Sequence, residues 1–280
     1  MPAPCLQSQS VLCGGGFRYF ASATMPLSVK SFAGGTARYR TTNGSFAVDE
    51  ESWLVLNDQE PYTIEFDSKT LIRSTVIFFP SGWAESLNRV FSEPDTSLLD
   101  APEETGSAVN FLQTVSPDNG QIKSRLMRID NACRGRTAPT DWLEEQLQDL
   151  LGTLLFSQKE HLQRAQSLPA ANRATRDELY RRLCRGRDYL HATALQAPSL
   201  EDAAKASSLS PFHFQRSFKA AFGQSPRQYT ESRRLRHARR LLATGATTAT
   251  QVALEVGYES YSSFHAAYRR HFGHPPSKTL

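Results

Sequence analysis

The chain has 280 residues, of which 39% are hydrophobic, enough for buried cores and too few for a membrane protein. Its net charge of +4 hides a split: residues 172–280 hold 18 Lys and Arg against 8 Asp and Glu, while residues 1–171 hold 14 against 20. A basic module joined to an acidic one points to nucleic acid at one end, although a basic helical domain that is merely well solvated would show the same charge.

Residues 1–24 read as a loosely ordered amino terminus, with Pro2, Pro4 and Gly14-Gly15-Gly16. They lack the charged start and apolar core of a signal peptide, and no apolar run is long enough to span a membrane. The expected place is the cytoplasm, on the chromosome. Cys5, Cys13, Cys133 and Cys184 have neither metal nor redox spacing and read as idle thiols in a reducing compartment.

Residues 25–140 carry strand signals. Tyr62, Ile64 and Phe66 alternate with Thr63, Glu65 and Asp67, and Leu71 to Phe79 is rich in Ile, Val, Thr and Phe. Asn43-Gly44, Asn57-Asp58, Pro80-Ser81-Gly82 and Asp118-Asn119-Gly120 read as turns. Many short strands at this spacing suggest a sandwich or small barrel. The first histidine is His161, so such a barrel has none for a metal site, and neither a metal nor a cofactor is expected. The carboxylates Asp49, Glu50, Glu51, Asp58 and Glu60 are of the type that binds calcium or magnesium, but they cluster near turns and read as solvated. A barrel without metal can still hold a small molecule. Phe17, Trp53, Tyr62, Phe66, Phe78 and Trp83 are candidate walls, or simply core, with Arg38, Arg40 or Arg73 to anchor an acid.

Residues 141–165 form a helix that Asp141 can cap. Leu143, Leu147, Leu150 and Leu154 make a heptad-like seam, widened by Leu151 and Leu155. The seam suits either packing on the barrel or a helix pair in a homodimer, and its width favours the dimer. Residues 166–174, with Pro169, are a linker. Thr175 and Glu178 then read as a capping box opening a helix through Leu179, Leu183 and Leu190.

The remainder contains one design twice. Ser210 can cap a helix, Pro211 suits its first position, Phe214, Phe218 and Phe222 make one stripe, and Gly223 suits its end. Fifty residues on, Phe264, Tyr268 and Phe272 repeat the stripe and Gly273 the stop. Before the first copy, Ser199 with Asp202 reads as a capping box and Ser207-Ser208 as a tight turn. Before the second, Gly257 serves that turn, which is one residue longer. Short helix, turn, second helix is the helix-turn-helix.

Phe214-Gln215-Arg216-Ser217-Phe218-Lys219, then Gly223-Gln224-Ser225-Pro226-Arg227-Gln228-Tyr229, then Arg234-Leu235 with Ala238, Leu241 and Leu242, and finally Gly257-Tyr258-Glu259-Ser260 resemble the DNA-binding domain of the AraC/XylS transcriptional regulators. The resemblance covers roughly residues 175–277, within an all-α domain over 175–280 with two helix-turn-helix motifs, and implies an α+β chain that also has a β-rich, cupin-like effector barrel and a connecting or dimerisation helix. It implies double-stranded promoter DNA, a small-molecule effector, RNA polymerase and a homodimer as partners, and an activator rather than an enzyme. Two departures stand out: Ala266 replaces a polar reader, and the chain after Gly273 lacks the closing aromatic of the family.

A recognition helix puts its exposed face in the major groove, whose base edges carry the distinguishable code. In the first copy Gln215 and Arg216 are the expected base readers, with Phe212 on thymine methyls or sugar. In the second copy Tyr261, Ser262 and His265 hold the matching positions. Lys219, Arg227, Arg269 and Arg270 are expected on phosphates. Of Arg233, Arg234, Arg236, His237, Arg239 and Arg240 on the helix between the copies, some can reach phosphates and others only keep a face wet. The competing function is an enzyme or repair protein using this domain for targeting; no catalytic residue set was found for it.

Overall fold

The structure is a computed structural model describing residues 5–8, 10–93, 106–117, 120–135, 138–170 and 172–279. It divides into two compact units, Met1–Gln163 and Arg164–Leu280.

The first unit is a curled antiparallel sheet covered by helices. Its strands are β1 (Cys5–Ser8), β2 (Val11–Thr24), β3 (Ser28–Ala33), β4 (Ala37–Thr41), β5 (Gly44–Val48), β6 (Ser52–Leu56), β7 (Pro61–Phe78) and β8 (Ser116–Pro117). The long β7 pairs with β2 along most of its length. On its other side it pairs first with β4, from Tyr62 to Glu65, and then with β3, from Arg73 to Phe78. This change of neighbour curls the sheet, and the path β1-β2-β7-β3-β6-β8 leaves a half-barrel rather than a closed barrel. The expected loose amino terminus does not hold over residues 11–24. The ladder to β7 takes up their backbone hydrogen bonds, and Gly15 lets β7 come so close that a Cβ there would meet the Ile72 carbonyl at 2.9 Å. Of the expected turn Asp118-Asn119-Gly120, the first two residues lie outside the described residues.

The strand reading of residues 25–140 missed two helices, α1 (Trp83–Ser92) and α2 (Gln121–Arg134). With α3 (Thr140–Gln166) they cover one face of the sheet. Ile122, Leu126 and Ile129 of α2 join Val29, Trp53, Val55 and Ile77 of the sheet in one buried cluster. Leu143, Leu147, Leu150 and Leu154 belong to that cluster too, all at most 8% exposed. This corrects the dimer seam: those leucines are spent on the chain's own core, where each fully buried side chain contributes about 1.5–3 kcal/mol, and a partner cannot reach them. Trp53 and partly buried Trp83 also lie here, away from the half-barrel interior.

The second unit contains α4 (Arg173–Thr193), α5 (Leu200–Ala206), α6 (Pro211–Phe222), α7 (Pro226–Ala243), α8 (Ala249–Glu255) and α9 (Tyr261–Phe272). Asn172, and not Thr175, caps α4 by accepting the Thr175 amide; Glu178 instead meets Arg182 at 2.9 Å. Gly186 of α4 faces the first helix-turn-helix so closely that a Cβ would collide with Ser207 and Phe214.

Candidate nucleic-acid interface

Both recognition helices begin and end as their sequences dictate. Ser210 accepts the His213 amide, Pro211 occupies the first turn of α6, and Gly223 closes it with φ 72°. Ser260 accepts the Ser263 amide of α9, and Gly273 closes it with φ 78°. The turns ahead of them pivot on left-handed residues, Ser208 in the first copy and Gly257 in the second. Ser199 accepts the Asp202 amide, but Asp202 takes the Ser199 hydroxyl rather than its backbone N–H, so the expected capping box is only half formed.

The stripes are the buried faces. Phe214, Phe218, Phe264 and Tyr268 are wholly inaccessible, with Phe218 against Phe222 at 4.7 Å between ring centroids and Tyr268 against Phe272 at 4.6 Å. Burying these rings forces the opposite faces outward. Phe212, Gln215, Arg216 and Lys219 are all exposed on α6, and Phe212 is 77% exposed with no core to serve. On α9 Tyr261, Ser262, Arg269 and Arg270 are exposed and His265 is half-buried, its ring 5.8 Å from that of Tyr261. Ala266, the departure from the family pattern, is exposed between them.

Arg216, Lys219, Arg227 and Arg269 have no ion pair or hydrogen bond among the described residues, so nothing competes with phosphate or a base edge for them. Arg270 differs: its guanidinium holds Glu231 of α7 at 2.8 Å. The arginines of α7 separate by the same criterion. Arg233 is buried beside His191 at 3.2 Å, Arg239 lies over the Phe272 ring at 5.2 Å, and Arg240 meets His237 at 3.1 Å. Arg236 alone of that group is exposed and without a partner among the described residues.

A cleft of about 540 Å³ opens between the two copies, bordered by Gln215, Arg227, Glu231, Arg234 and Tyr258. Burial, then the nearby Glu231 carboxylate, pushes the Tyr258 phenol up to about 12, so it stays a neutral hydroxyl. Sequence reading missed this cluster because its members come from two helices and a turn.

Another omission lies in the first unit. Lys30 is 1% exposed, in the half-barrel interior, with its ammonium 4.9 Å from the Tyr62 ring and 4.8 Å from that of Phe78. Among the described residues no carboxylate faces it, and burial lowers its pKa to about 7. Ser28, two residues earlier on the same strand face, keeps a buried hydroxyl without a partner. The sequence signal was a lysine on the strand face of Phe32. Among the expected walls Phe66 and Tyr62 do lie around this interior, whereas Phe17 is 58% exposed. Arg40 is taken by Glu65 at 3.2 Å. Among the described residues no group of His, Cys, Asp and Glu is arranged to hold a metal ion, and no helix is long and apolar enough to cross a membrane. Burial, together with the neighbouring Asp130 carboxylate, pushes the Cys13 thiol up to about 12.

Two capped helices with outward polar faces, each set on a short helix and a tight turn, form a pair of helix-turn-helix units. Residues 203–280 match the family model of a helix-turn-helix domain. The chain is similar to the virulence regulon transcriptional activator VirF of Yersinia enterocolitica, 38% identical over 65 residues, and to the HTH-type transcriptional regulator ExsA of Pseudomonas aeruginosa, 36% over 66. These alignments cover 23% and 24% of this chain, and the chain spans about a quarter of the length of either relative. Among solved structures it is similar to an AraC-type DNA-binding regulator from Chromobacterium violaceum, at 28% identity over 35% of this chain and 88% of that one, with a TM-score of 0.34. Unsaturated fatty acid-bound ToxT from Vibrio cholerae aligns over 99% of this chain and 96% of its own at 14% identity, with a TM-score of 0.36. Residues 203–280 thus carry a helix-turn-helix domain, similar in sequence to part of these transcription regulators.

Proposed function

We propose that this protein regulates transcription by reading two successive major grooves, α6 in one and α9 in the next, on one side of the duplex. The supporting observation is the pair of capped helices whose outward faces carry large polar side chains, Arg216, Lys219 and Arg269 of them without a partner among the described residues. Gln215 and Arg216 read base edges, Phe212 contacts thymine methyls or sugar, and Tyr261, Ser262 and His265 read the second groove. Lys219, Arg227 and Arg269 hold phosphates and set the register, whereas Arg270 is held by Glu231. Because the leucine seam is buried, the single chain is the reading unit, its two copies supplying both grooves. Bound at a promoter in the cytoplasm, it would contact RNA polymerase and act as an activator. The named relatives are transcription regulators, which gives the targeted-enzyme alternative no support. Selection of the full chain against a random DNA pool should yield a two-part site with its parts about one helical turn apart; a pool that stays random would refute the reading.

The half-barrel is proposed to hold a small acidic effector, on the observation that Lys30 is buried among aromatic rings without a counter-charge. A carboxylate would restore its proton and take its hydrogen bonds. Lys30 binds a proton below 10.5 in the unfolded chain, but only below about 7 when folded. Between those values the unfolded state holds more protons, so stability rises with pH from about 7 to 10.5; below 7 the full penalty of the buried charge remains. Lys30→Met should flatten that rise in melts at pH 6 and pH 9 and abolish thermal stabilisation by a panel of carboxylic acids. Stabilisation that persists in Lys30→Met places the acid elsewhere.

A further inference from the structure

The helix α7 belongs to two cores. Its first half packs on the first copy: Tyr229 approaches Phe218 at 5.9 Å between ring centroids, and both Tyr229 and Arg233 meet His191 of α4. Its second half, through Leu235, Ala238 and Leu242, shares a cluster with Val252, Phe264 and Tyr268 of the second copy. Arg234 stands at the changeover. Its Nε donates to the Ala194 carbonyl at 2.8 Å, at the end of α4. The other end of the same guanidinium lies under the turn of the second copy, where a Cβ on Gly257 would sit 3.1 Å from Nη2. That Nη2 is buried and has no hydrogen-bond partner, so it is held by shape against the turn and not by a second bond. One helical turn earlier, Glu231 accepts from Arg270 of α9.

We propose that Arg234 is a positioning residue: wedged between the Ala194 carbonyl and the Gly257 turn, it fixes the distance and phase between the two recognition helices, with the Glu231–Arg270 pair as a second tie. The argument is one of geometry. An α-helix alone sets the axial distance between the copies, but each copy rocks on its own half of α7 unless something spans both. The planar guanidinium can do so because one edge bonds while the face and opposite edge pack. Gly257 has φ 80° and no side chain, which is what lets the turn close over the guanidinium. Linked readers gain affinity only when both sites can be engaged together, so loosening this joint lowers the gain from the second box without touching either reader.

The proposal rests on the two-groove reading, and its test separates the two. The full chain is titrated against its selected site, against each box alone, and against sites with one base pair inserted or deleted between boxes. The unsubstituted protein should lose about tenfold or more on insertion. Arg234→Met keeps the aliphatic stem and removes the donors. It should bind each box alone within about twofold of the unsubstituted protein, bind the whole site about tenfold more weakly, and lose less than about threefold on insertion. Gly257→Ala, which forces the guanidinium aside, should move the preferred spacing, and Glu231→Gln should give a smaller effect in the same direction. Circular dichroism checks folding; should Arg234→Met not fold, Glu231→Gln and Gly257→Ala decide by the same spacing readout. A spacing penalty unchanged in the folded variants overturns the proposal and leaves the DNA reading standing. An unsubstituted protein with no preferred site sinks both.

Discussion

The two helix-turn-helix copies share a scaffold and differ in what they offer outward. Each has an N-capping serine, a buried aromatic stripe and a left-handed glycine stop. The first copy leaves Arg216 and Lys219 without partners beside an exposed Gln215. The second presents Ser262, a half-buried His265 and Ala266, and its Arg270 is already engaged with Glu231. Long side chains that are both free and charged reach further into a groove than short ones, so the first copy should supply most of the sequence discrimination. The second should contribute more to grip and to register. Duplication preserved the parts that the fold needs and let the wet face diverge.

The largest break in that comparison is in the cores. Phe214→Ala should cost about 3–5 kcal/mol, since the ring is wholly buried and packs on Phe218 at 5.3 Å. Phe264→Ala should cost a similar amount in the second copy. Hydrogen exchange on the full chain should show each loss confined mainly to its own copy; loss spread equally over both would mean one core, not two. Next, Arg216→Ala should weaken the selected site by about 1–3 kcal/mol and relax one base position, with folding intact. Unchanged preference in gel shifts would remove Arg216 from the readers. Lys219→Ala should weaken all DNA alike and reduce the slope of log affinity against log salt by about one. His265→Ala should be the mildest, under about 1 kcal/mol, because its ring is partly taken up by Tyr261. An effect as large as that of Arg216→Ala would invert the ranking of the two copies.

The carboxy-terminal domain was legible because its signals are local. Caps, four-residue aromatic spacing and glycine stops act within a turn or two of helix, and they appear where the residues place them, except that Asn172 replaces Thr175 as the cap of α4 and the Ser199 box is half formed. The exposure of Phe212, Gln215 and Arg216 followed, since burying one stripe leaves the other face outward. The amino-terminal unit was less legible. Strand alternation found β7, but α1 and α2 were lost among strand-like runs, and the leucine seam of α3 has the same pattern whether it meets another copy or its own sheet.

By itself, then, the sequence determined the paired helix-turn-helix, its outward residues and the split of charge, because those depend on neighbours a few positions apart. Tertiary structure alone decided that the seam is interior, that Lys30 is buried with no carboxylate against it among the described residues, and which arginines remain unpaired among them. Those outcomes depend on which distant segments pack together: Arg270 looks like any surface arginine until Glu231, 39 residues away, is brought to it.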